Sequence, residues 1–410
     1  MNYLYLVSVL ISSFLIFSSV FWMFIFLEES NINNKKNKNR KKSVAIVIPC
    51  IYEGKEIINT VEKALEINYK NKRIYLVLNK SSSKETVDSA NYLKNKYNEI
   101  NLIFAPFNGK SKVLNYSIKN FVKEEIILIL DADTYVEKNM LNIVLPHFDD
   151  KKVGAVVSSV KVDNYRDSLI AWAQKYEYDL SILARNASSK INSLIIAHGA
   201  GSAFRRDILE KINYFDENNI TEDLEIGLRL NLKGYYVIND LKAISYTKVP
   251  TSLYGLFKQR RRWYTGFFIN LFKYKNDLNK NKDLKYIFLP FSIISSSISL
   301  FSSLLIFINI PQLINLINFI ISNKEIFSFI ITTVVFNYLT VSFFSNVLVV
   351  ISIILGFTSL IFMLYKANNG FNLENVFGLL FYVFIYNFII SFIWFYSLIF
   401  VLIKRKQSSW

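Results

Sequence analysis

Short apolar runs alternate with helix-like patterns from Ser43 to about Lys285. The run Val44–Ile48, bounded by Pro49, predicts a buried strand, because unbroken β-branched residues are typical of strands covered on both faces. Further strands are predicted at 74–78, 102–104 and 126–130, with helices at 56–67, 84–97 and 110–122. This alternation predicts an α/β domain with a mostly parallel sheet, in which ligands bind at the carboxyl ends of the strands.

Longer apolar stretches flank this segment on both sides. Residues 4–27 are long enough to cross a hydrocarbon core of about 30 Å, and they lack a basic leading region and a cleavage site, so we expect a permanent span. Behind the soluble segment, residues 311–322 fit an interfacial helix. Spans are predicted at 286–310, 326–343, 346–365 and 377–402, with a hairpin turn near Asn346.

The excess of basic residues indicates how the predicted spans are oriented in the membrane. The chain has 48 Lys and Arg against 32 Asp and Glu, a formal charge of +16. Much of the surplus lies beside apolar stretches, in Lys35–Lys42, Lys273–Lys285 and Lys404–Lys406. This placement indicates orientation and contact with anionic membrane lipids, and no motif supports a nucleic-acid partner. We therefore expect a multi-pass plasma-membrane protein with its middle and C-terminus cytoplasmic and its N-terminus outside.

These features predict six segments along the chain. They are an N-terminal transmembrane helix (1–28), a basic cytoplasmic linker (29–42), a cytoplasmic α/β domain (43–270), a basic juxtamembrane segment (271–285), a C-terminal transmembrane region of about four spans (286–403) and a cytoplasmic tail (404–410). Cys50 is the single cysteine, so no internal disulfide forms.

The first polar cluster, Asp131-Ala-Asp-Thr134, directly follows the predicted strand 126–130. Carboxylates separated by one residue at a strand end can hold Mg²⁺ or Mn²⁺, which typically bridges carboxylates to phosphate oxygens. An acidic turn after a strand is also common without any metal.

The second cluster, Thr221-Glu-Asp-Leu-Glu225, opens an amphipathic segment. A Thr N-cap followed by acids that complement the helix dipole would explain this cluster without any catalytic role. The functional alternative makes Asp223 a general base that removes a proton from an acceptor hydroxyl.

The third cluster, Gln259-Arg-Arg-Arg-Trp263, precedes the second apolar region. Basic residues with an interfacial Trp are ordinary beside a membrane. The functional alternative places Arg262 on a departing diphosphate and the Trp263 ring against a sugar.

In combination, these clusters resemble the membrane-embedded family-2 glycosyltransferases of the GT-A fold, the group of cellulose, hyaluronan and poly-N-acetylglucosamine synthases. The ordered matches run from Val44 to Trp263: IPCIYEGKEI, NGKSKVLN, DADT, QKYEY, GAGSAFRR, TED and QRRRW. The resemblance implies a Rossmann-like nucleotide-sugar domain between transmembrane helices. It also implies inverting, single-displacement transfer from a nucleotide sugar with Mg²⁺ or Mn²⁺.

Site residues are carried over from the resemblance by position. It implies that Asp133 and Asp131 bind the metal and that Asp223, beside Glu222, is the catalytic base. The implied donor contacts are Pro49, Glu53, Asn79, Lys110, Asp131 and Arg262, and the implied acceptor contacts are Gln259 and Trp263.

One segment departs from the family pattern. Where the family usually carries an Asp-Asp-Gly-Ser type turn that helps hold uracil, this chain reads Asn79-Lys-Ser-Ser-Ser83. Asn79 can still hydrogen-bond a base edge, whereas Lys80 offers only donors. A UDP-sugar such as UDP-GlcNAc or UDP-Glc is the expected donor, and a changed base preference stays open.

Three functions remain open at this point. The first is a processive polysaccharide synthase that extrudes its product through its own spans. The second is a non-processive enzyme that adds one sugar to a membrane lipid. The third is a non-catalytic membrane partner, against which the acids Asp131, Asp133 and Asp223 argue. A glycan or lipid acceptor is expected in the first two, and an accessory subunit is compatible with all three.

Overall fold

A computed structural model describes residues 3–27, 42–308, 341–368 and 376–406. The predicted interfacial helix 311–322, most of the predicted span 326–343, the basic linker up to residue 41 and residues 407–410 lie outside these ranges.

The first half of the α/β domain alternates strands with helices as predicted. After the N-terminal helix α1 (Tyr3–Leu27), the chain forms β1 (Val44–Cys50), α2 (Glu56–Leu65), β2 (Lys72–Leu78), α3 (Lys84–Lys96), β3 (Ile100–Phe104), α4 (Lys110–Asn120) and β4 (Ile126–Leu130). β1 pairs in parallel with both β2 and β4, and β2 pairs in parallel with β3. The carboxyl ends of these strands therefore meet at one edge of the sheet.

The second half extends the same sheet. Its elements are β5 (Tyr135–Val136), α5 (Met140–Val144), β6 (Val153–Val162), α6 (Leu169–Lys190), β7 (Ala200–Arg205), α7 (Arg206–Lys211), α8 (Glu222–Leu232), β8 (Tyr236–Thr247) and α9 (Leu253–Lys273). The strand order is β3-β2-β1-β4-β7-β6-β8-β5. β7 runs antiparallel between β4 and β6, whereas β6 and β8 are parallel. The sheet is mixed but mostly parallel.

Burial on both faces explains the unbroken apolar strands. In β1, Ile46 and Ile48 pack into one core cluster, and Ala45 and Val47 pack into the cluster on the opposite face. Because successive side chains of a strand alternate between faces, a strand covered on both sides needs apolar residues at every position. Each fully buried Val or Ile contributes about 1.5–3 kcal/mol.

In the described residues, long apolar helices precede and follow this domain along the chain. The stretches Leu284–Phe301 and Phe377–Lys404 are long and apolar enough to cross a bilayer, and both coincide with predicted spans. The turn predicted near Asn346 is wrong, because one continuous helix, Val341–Asn368, runs through it. A single Asn without an adjacent Gly or Pro does not interrupt a helix.

The apolar helices pack directly on the catalytic domain. On α1, the Phe14 ring lies 5.6 Å from that of Phe291. Lys190, the last residue of α6, donates to the Ile25 carbonyl at 2.8 Å, where a cation complements the carboxyl end of helix α1. On α9, Phe268 lies 5.0 Å from Trp394 of the last helix, Asn387–Lys406. These contacts fix α6 and α9 against the apolar helices.

Candidate active site

The acidic turn after β4 is held rigidly. The register between β4 and β7 shifts at the end of β4, between Ile129 and Leu130. The Asp131 amide then donates to the Gly199 carbonyl at 3.0 Å, and the Thr134 amide donates to the Asp131 carbonyl at 3.0 Å. An irregularity of this kind redirects side chains at a sheet edge, which places Asp131 and the residues after it above the strand ends.

Lys110, the first residue of α4, joins two acidic motifs that are distant in sequence. Its Nζ forms an ion pair with Asp131 and lies 3.5 Å from Glu222 Oε1. Burial opposes the charge of Lys110, but the carboxylates of Asp131 and Glu222 outweigh it and raise the Lys110 pKa above its usual value. Lys110 is therefore a permanent cation between the two motifs.

Asp223, the second residue of α8, has a perturbed carboxyl group. Burial in the cleft and the neighbouring charge of Glu222 raise its pKa to about 6, although Lys110 and Arg262 act in the opposite direction. Its Oδ1 accepts a hydrogen bond from the Leu224 amide at 2.9 Å, which fixes its orientation. A carboxylate with this pKa is ionised at neutral pH and more basic than an ordinary aspartate, as a general base requires.

Asp133 lies beside this cluster and opens to solvent. Partial loss of hydration within the cleft and the charge of Asp131 raise its pKa, and Thr134 Oγ1 donates to its Oδ1 at 3.2 Å. The two carboxylates, separated by one residue, suit a divalent cation. In the described residues, no group of three or more acidic, His or Cys side chains is arranged to hold a metal ion, so phosphate and water oxygens would complete a Mg²⁺ or Mn²⁺ shell.

Helix α9 packs closely against the segment Thr221-Glu-Asp223. A Cβ at Gly266 would lie 2.1 Å from Thr221 Oγ1, so only glycine permits this approach. Asn270 Nδ2 donates to the same hydroxyl at 3.2 Å. Thr221 thus contacts α9 and does not cap α8 with its side chain. Arg262, exposed on α9, donates to the Ile220 carbonyl at 3.2 Å, which brings it to the motif that holds Asp223.

Comparison with known proteins identifies the catalytic domain. A family profile described as glycosyltransferase like family 2 matches residues 41–266, more than half of the chain. The chain belongs to this family. The poly-beta-1,6-N-acetyl-D-glucosamine synthase of Staphylococcus aureus strain COL is 28% identical over 262 residues, covering 61% of this chain and 63% of the synthase. The synthase of Staphylococcus epidermidis is 26% identical over 264 residues, with the same coverage.

A solved structure shares the fold of this family-2 chain. The mannosyltransferase PcManGT from Pyrobaculum calidifontis, in complex with GDP-Man and Mn²⁺, superposes with a TM-score of 0.55. It is 19% identical, and the match covers 72% of this chain and 86% of the mannosyltransferase. The expected GT-A glycosyltransferase fold is confirmed.

On the donor side of this family-2 domain, Asn79 is buried at the end of β2. Its Oδ1 accepts hydrogen bonds from the Ser81 amide at 2.9 Å and from the Ser82 hydroxyl at 3.2 Å. The carbonyl oxygen of Asn79 therefore closes its own turn, and the amide nitrogen makes no hydrogen bond to the residues that the structure describes. The Ser82 hydroxyl also donates to the Cys50 carbonyl at 2.9 Å, which ties this turn to the end of β1.

Pro49 and Glu53 lie at the same edge of the sheet. Pro49 is buried within β1, opposite Val77, and Glu53 Oε2 accepts from the Ile51 amide at 2.5 Å. In the described residues, neither has a hydrogen bond or ion pair to the acids after β4. The predicted site residues thus fall into three groups: the charged cluster around Lys110, the loops at the ends of β1 and β2, and the α9 motif.

The structure reveals an internal contact of a residue for which no role was predicted. Arg260 lies within QRRRW but is fully buried, and it pairs with Glu177 of α6 at 2.6 Å. Glu177 falls in the QKYEY match, which suggested family membership but no contact. The pairing joins positions 83 residues apart, and no short-range pattern indicates it.

The two histidines lie outside the catalytic cluster. His147 Nε2 is 2.7 Å from Asp240 Oδ2, a contact within the domain. His198 is buried, and its Nε2 donates to the Ser158 carbonyl at 3.1 Å. Burial and the charge of Arg185 lower its pKa to about 3, so His198 stays neutral.

Gly199 provides a direct test of the Lys110–Asp131 pair. A Cβ at this position would lie 2.4 Å from both Asp131 Oδ1 and Lys110 Nζ. We expect Gly199→Ala to displace the pair, destabilise the fold by about 1–3 kcal/mol and lower the transfer rate about tenfold or more. Gly356→Ala is the matched control, because nothing lies within 4 Å of its added methyl. Thermal unfolding and initial rates would check this, and equal rates for the two variants would contradict it.

Proposed function

We propose that this chain transfers N-acetylglucosamine from a UDP-sugar donor to a growing glycan at the cytoplasmic face of the membrane, and repeats the transfer to build a polysaccharide. The observation that carries the proposal is the cluster of Lys110, Asp131, Glu222 and Asp223, with Arg262 and α9 beside it. The named poly-N-acetylglucosamine synthases among the relatives support the sugar and the repeated transfer. The amide nitrogen of Asn79, which has no hydrogen-bond partner among the described residues, supports a base carbonyl as its partner.

The cluster accounts for an inverting single displacement. Asp223 takes the proton of an acceptor hydroxyl. The oxygen of that hydroxyl bonds to the anomeric carbon of the donor sugar, and the bond from that carbon to the diphosphate oxygen breaks. The leaving nucleoside diphosphate carries the departing electron pair, and Lys110 and Arg262, whose charges both act on Asp223, would stabilise its charge. When bound, Mg²⁺ or Mn²⁺ would be held by Asp131 and Asp133 and would neutralise diphosphate charge.

The proposal includes the membrane arrangement. The apolar helices would span the plasma membrane on both sides of a catalytic domain at 43–270, with lipids as partners. The N-terminus would lie outside and the basic tail inside. Packing of Phe268 on Trp394 would place the acceptor motif of α9 beside a membrane helix, where an elongating glycan could leave. An accessory subunit is compatible with this arrangement.

The length of the product tests repeated transfer. Reconstituted protein would receive a large excess of donor with a limiting amount of a β-1,6-linked N-acetylglucosamine tetramer. We expect products many sugars long while most tetramer remains unextended, because the product stays bound between additions. Mass spectrometry would measure the distribution. Tetramer plus a single sugar as the end product would contradict repeated transfer while retaining the transferase, and a product on lipid would favour the single-transfer alternative.

A further inference from the structure

Arg260 is a buried cation inside an otherwise exposed basic run. Arg261 and Arg262 are exposed on α9, whereas Arg260 has no accessible surface. Its Nη2 donates to Glu177 Oε2 at 2.6 Å and its Nε donates to Glu177 Oε1 at 3.3 Å. Burying a guanidinium is destabilising unless a carboxylate pairs with it. The bidentate geometry of Arg260 and Glu177 is the strong form of such an ion pair. The orientation of Arg260 is therefore set by Glu177.

Both predicted acceptor residues contact this guanidinium. Arg260 Nη1 donates to Gln259 Oε1, and the guanidinium carbon lies 4.2 Å from the centre of the Trp263 ring. The carbonyl oxygen of Gln259 accepts from Arg260, and its amide nitrogen makes no hydrogen bond within the described part of the chain. The cation–π contact holds one face of the Trp263 ring against Arg260. Arg260 thus contacts both Gln259 and Trp263 and helps to orient their side chains.

The same carboxylate also reaches a membrane helix. Tyr386 is 1% exposed and donates its hydroxyl to Glu177 Oε2 at 2.5 Å. It ends the segment Tyr382–Tyr386, which leads directly into the last apolar helix, Asn387–Lys406. One carboxylate therefore links α6, the acceptor motif on α9 and the start of the last helix.

We propose that Glu177 is a positioning residue for the acceptor site, and that Tyr386 makes the geometry of this site depend on docking of the last apolar helix. The inference rests on the proposed function, since it assumes that Gln259 and Trp263 bind the glycan. Glu177 acts through Arg260 and takes no part in the bond change. Its loss should therefore weaken acceptor use and leave donor use intact.

Tyr386→Phe is the sharpest test, because it removes one hydroxyl and keeps the ring. With full-length protein in lipid nanodiscs, UDP-GlcNAc and the β-1,6-linked tetramer, we expect the acceptor KM to rise about tenfold or more, the range for losing a hydrogen bond to a charged group. The donor KM should change less than about twofold, and nucleotide release to water should persist. The matched control is Tyr382→Phe, the same change in the same segment, because the Tyr382 hydroxyl is hydrogen-bonded to Asn387 and, among the described residues, not to Glu177.

A second pair of variants separates positioning from general stability. Glu177→Gln leaves the Arg260 charge buried without a counter-charge, so we expect a lower unfolding temperature and a raised acceptor KM. Adding Arg260→Gln replaces the ion pair with two amides. It should restore much of the unfolding temperature but leave the acceptor KM high, because the support for Trp263 is lost.

The outcomes distinguish this inference from the function on which it rests. An acceptor KM for Tyr386→Phe equal to that for Tyr382→Phe, in a wild-type protein that transfers sugar, would overturn the positioning role alone. Recovery of the acceptor KM together with stability in the double variant would also overturn it. A wild-type protein that neither transfers sugar nor releases nucleotide from any donor would overturn the proposed function itself.

Discussion

Asp223→Asn is expected to lower the rate of sugar transfer by about 10²–10⁴-fold while the donor still binds. The amide keeps the shape of the side chain and can keep the hydrogen bond from the Leu224 amide, but it cannot take up a proton. Initial rates and a donor-binding titration would measure the two effects separately. Retained transfer in this variant would contradict the assignment of the base and leave the fold untouched.

The pH dependence gives the same residue an independent signature. The pKa of Asp223 is raised to about 6 from an ordinary 3.8, so its carboxyl becomes protonated as the pH falls through about 6. The protonated form cannot act as a base, and kcat should fall about tenfold per pH unit below that point. Asp223→Asn should remove this acid limb from the residual rate. A wild-type profile flat from pH 7 to 4.5 would contradict a base with this pKa.

Asp133→Asn is expected to lower kcat/KM for the donor by about 100-fold or more and to raise the metal concentration needed for half-maximal activity. Removing one of two carboxylates weakens the hold on a divalent cation. The fold should remain, because Asp131 disfavours the ionised form of Asp133, and the amide relieves that repulsion. Activity titrations with Mg²⁺ and Mn²⁺, together with thermal unfolding in chelator, would test both parts.

A matched control for Asp133→Asn is Asp207→Asn on α7. Asp207 is an exposed aspartate whose one ion pair among the described residues is a surface contact with Lys211 at 3.4 Å. Such pairs contribute little, so metal dependence and stability should both match the wild type. If Asp133→Asn behaves like this control, the metal role of Asp133 is wrong.

The elements predicted best are those that a pattern of neighbouring residues in the sequence indicates. Strands β1 and β4 are unbroken apolar runs, because both faces of the sheet are covered, and their ends carry the polar residues of the site. The predicted boundaries of the first four strands and three helices differ from the structure by two residues at most. The hairpin near Asn346 failed because one polar residue is a weak turn signal in an apolar helix.

Contacts between distant segments could not be predicted from spacing. Lys110 and Asp131 were each implicated by family resemblance, but their ion pair depends on Gly199 leaving room for both side chains. Arg260 looked like one more basic residue beside a membrane, and its burial against Glu177 follows only from the packing of α6 on α9. Thr221 looked like a helix cap, whereas its side chain contacts α9.

Nucleotide release by purified, membrane-reconstituted protein tests the central claim most directly. A panel of UDP-, GDP- and other nucleotide sugars would be offered with Mg²⁺ or Mn²⁺, with Asp223→Asn and Asp133→Asn alongside. The account predicts metal-dependent release from UDP-N-acetylglucosamine that both variants lose. Release that persists in both variants, or no release from any donor in the presence of acceptor, would contradict it.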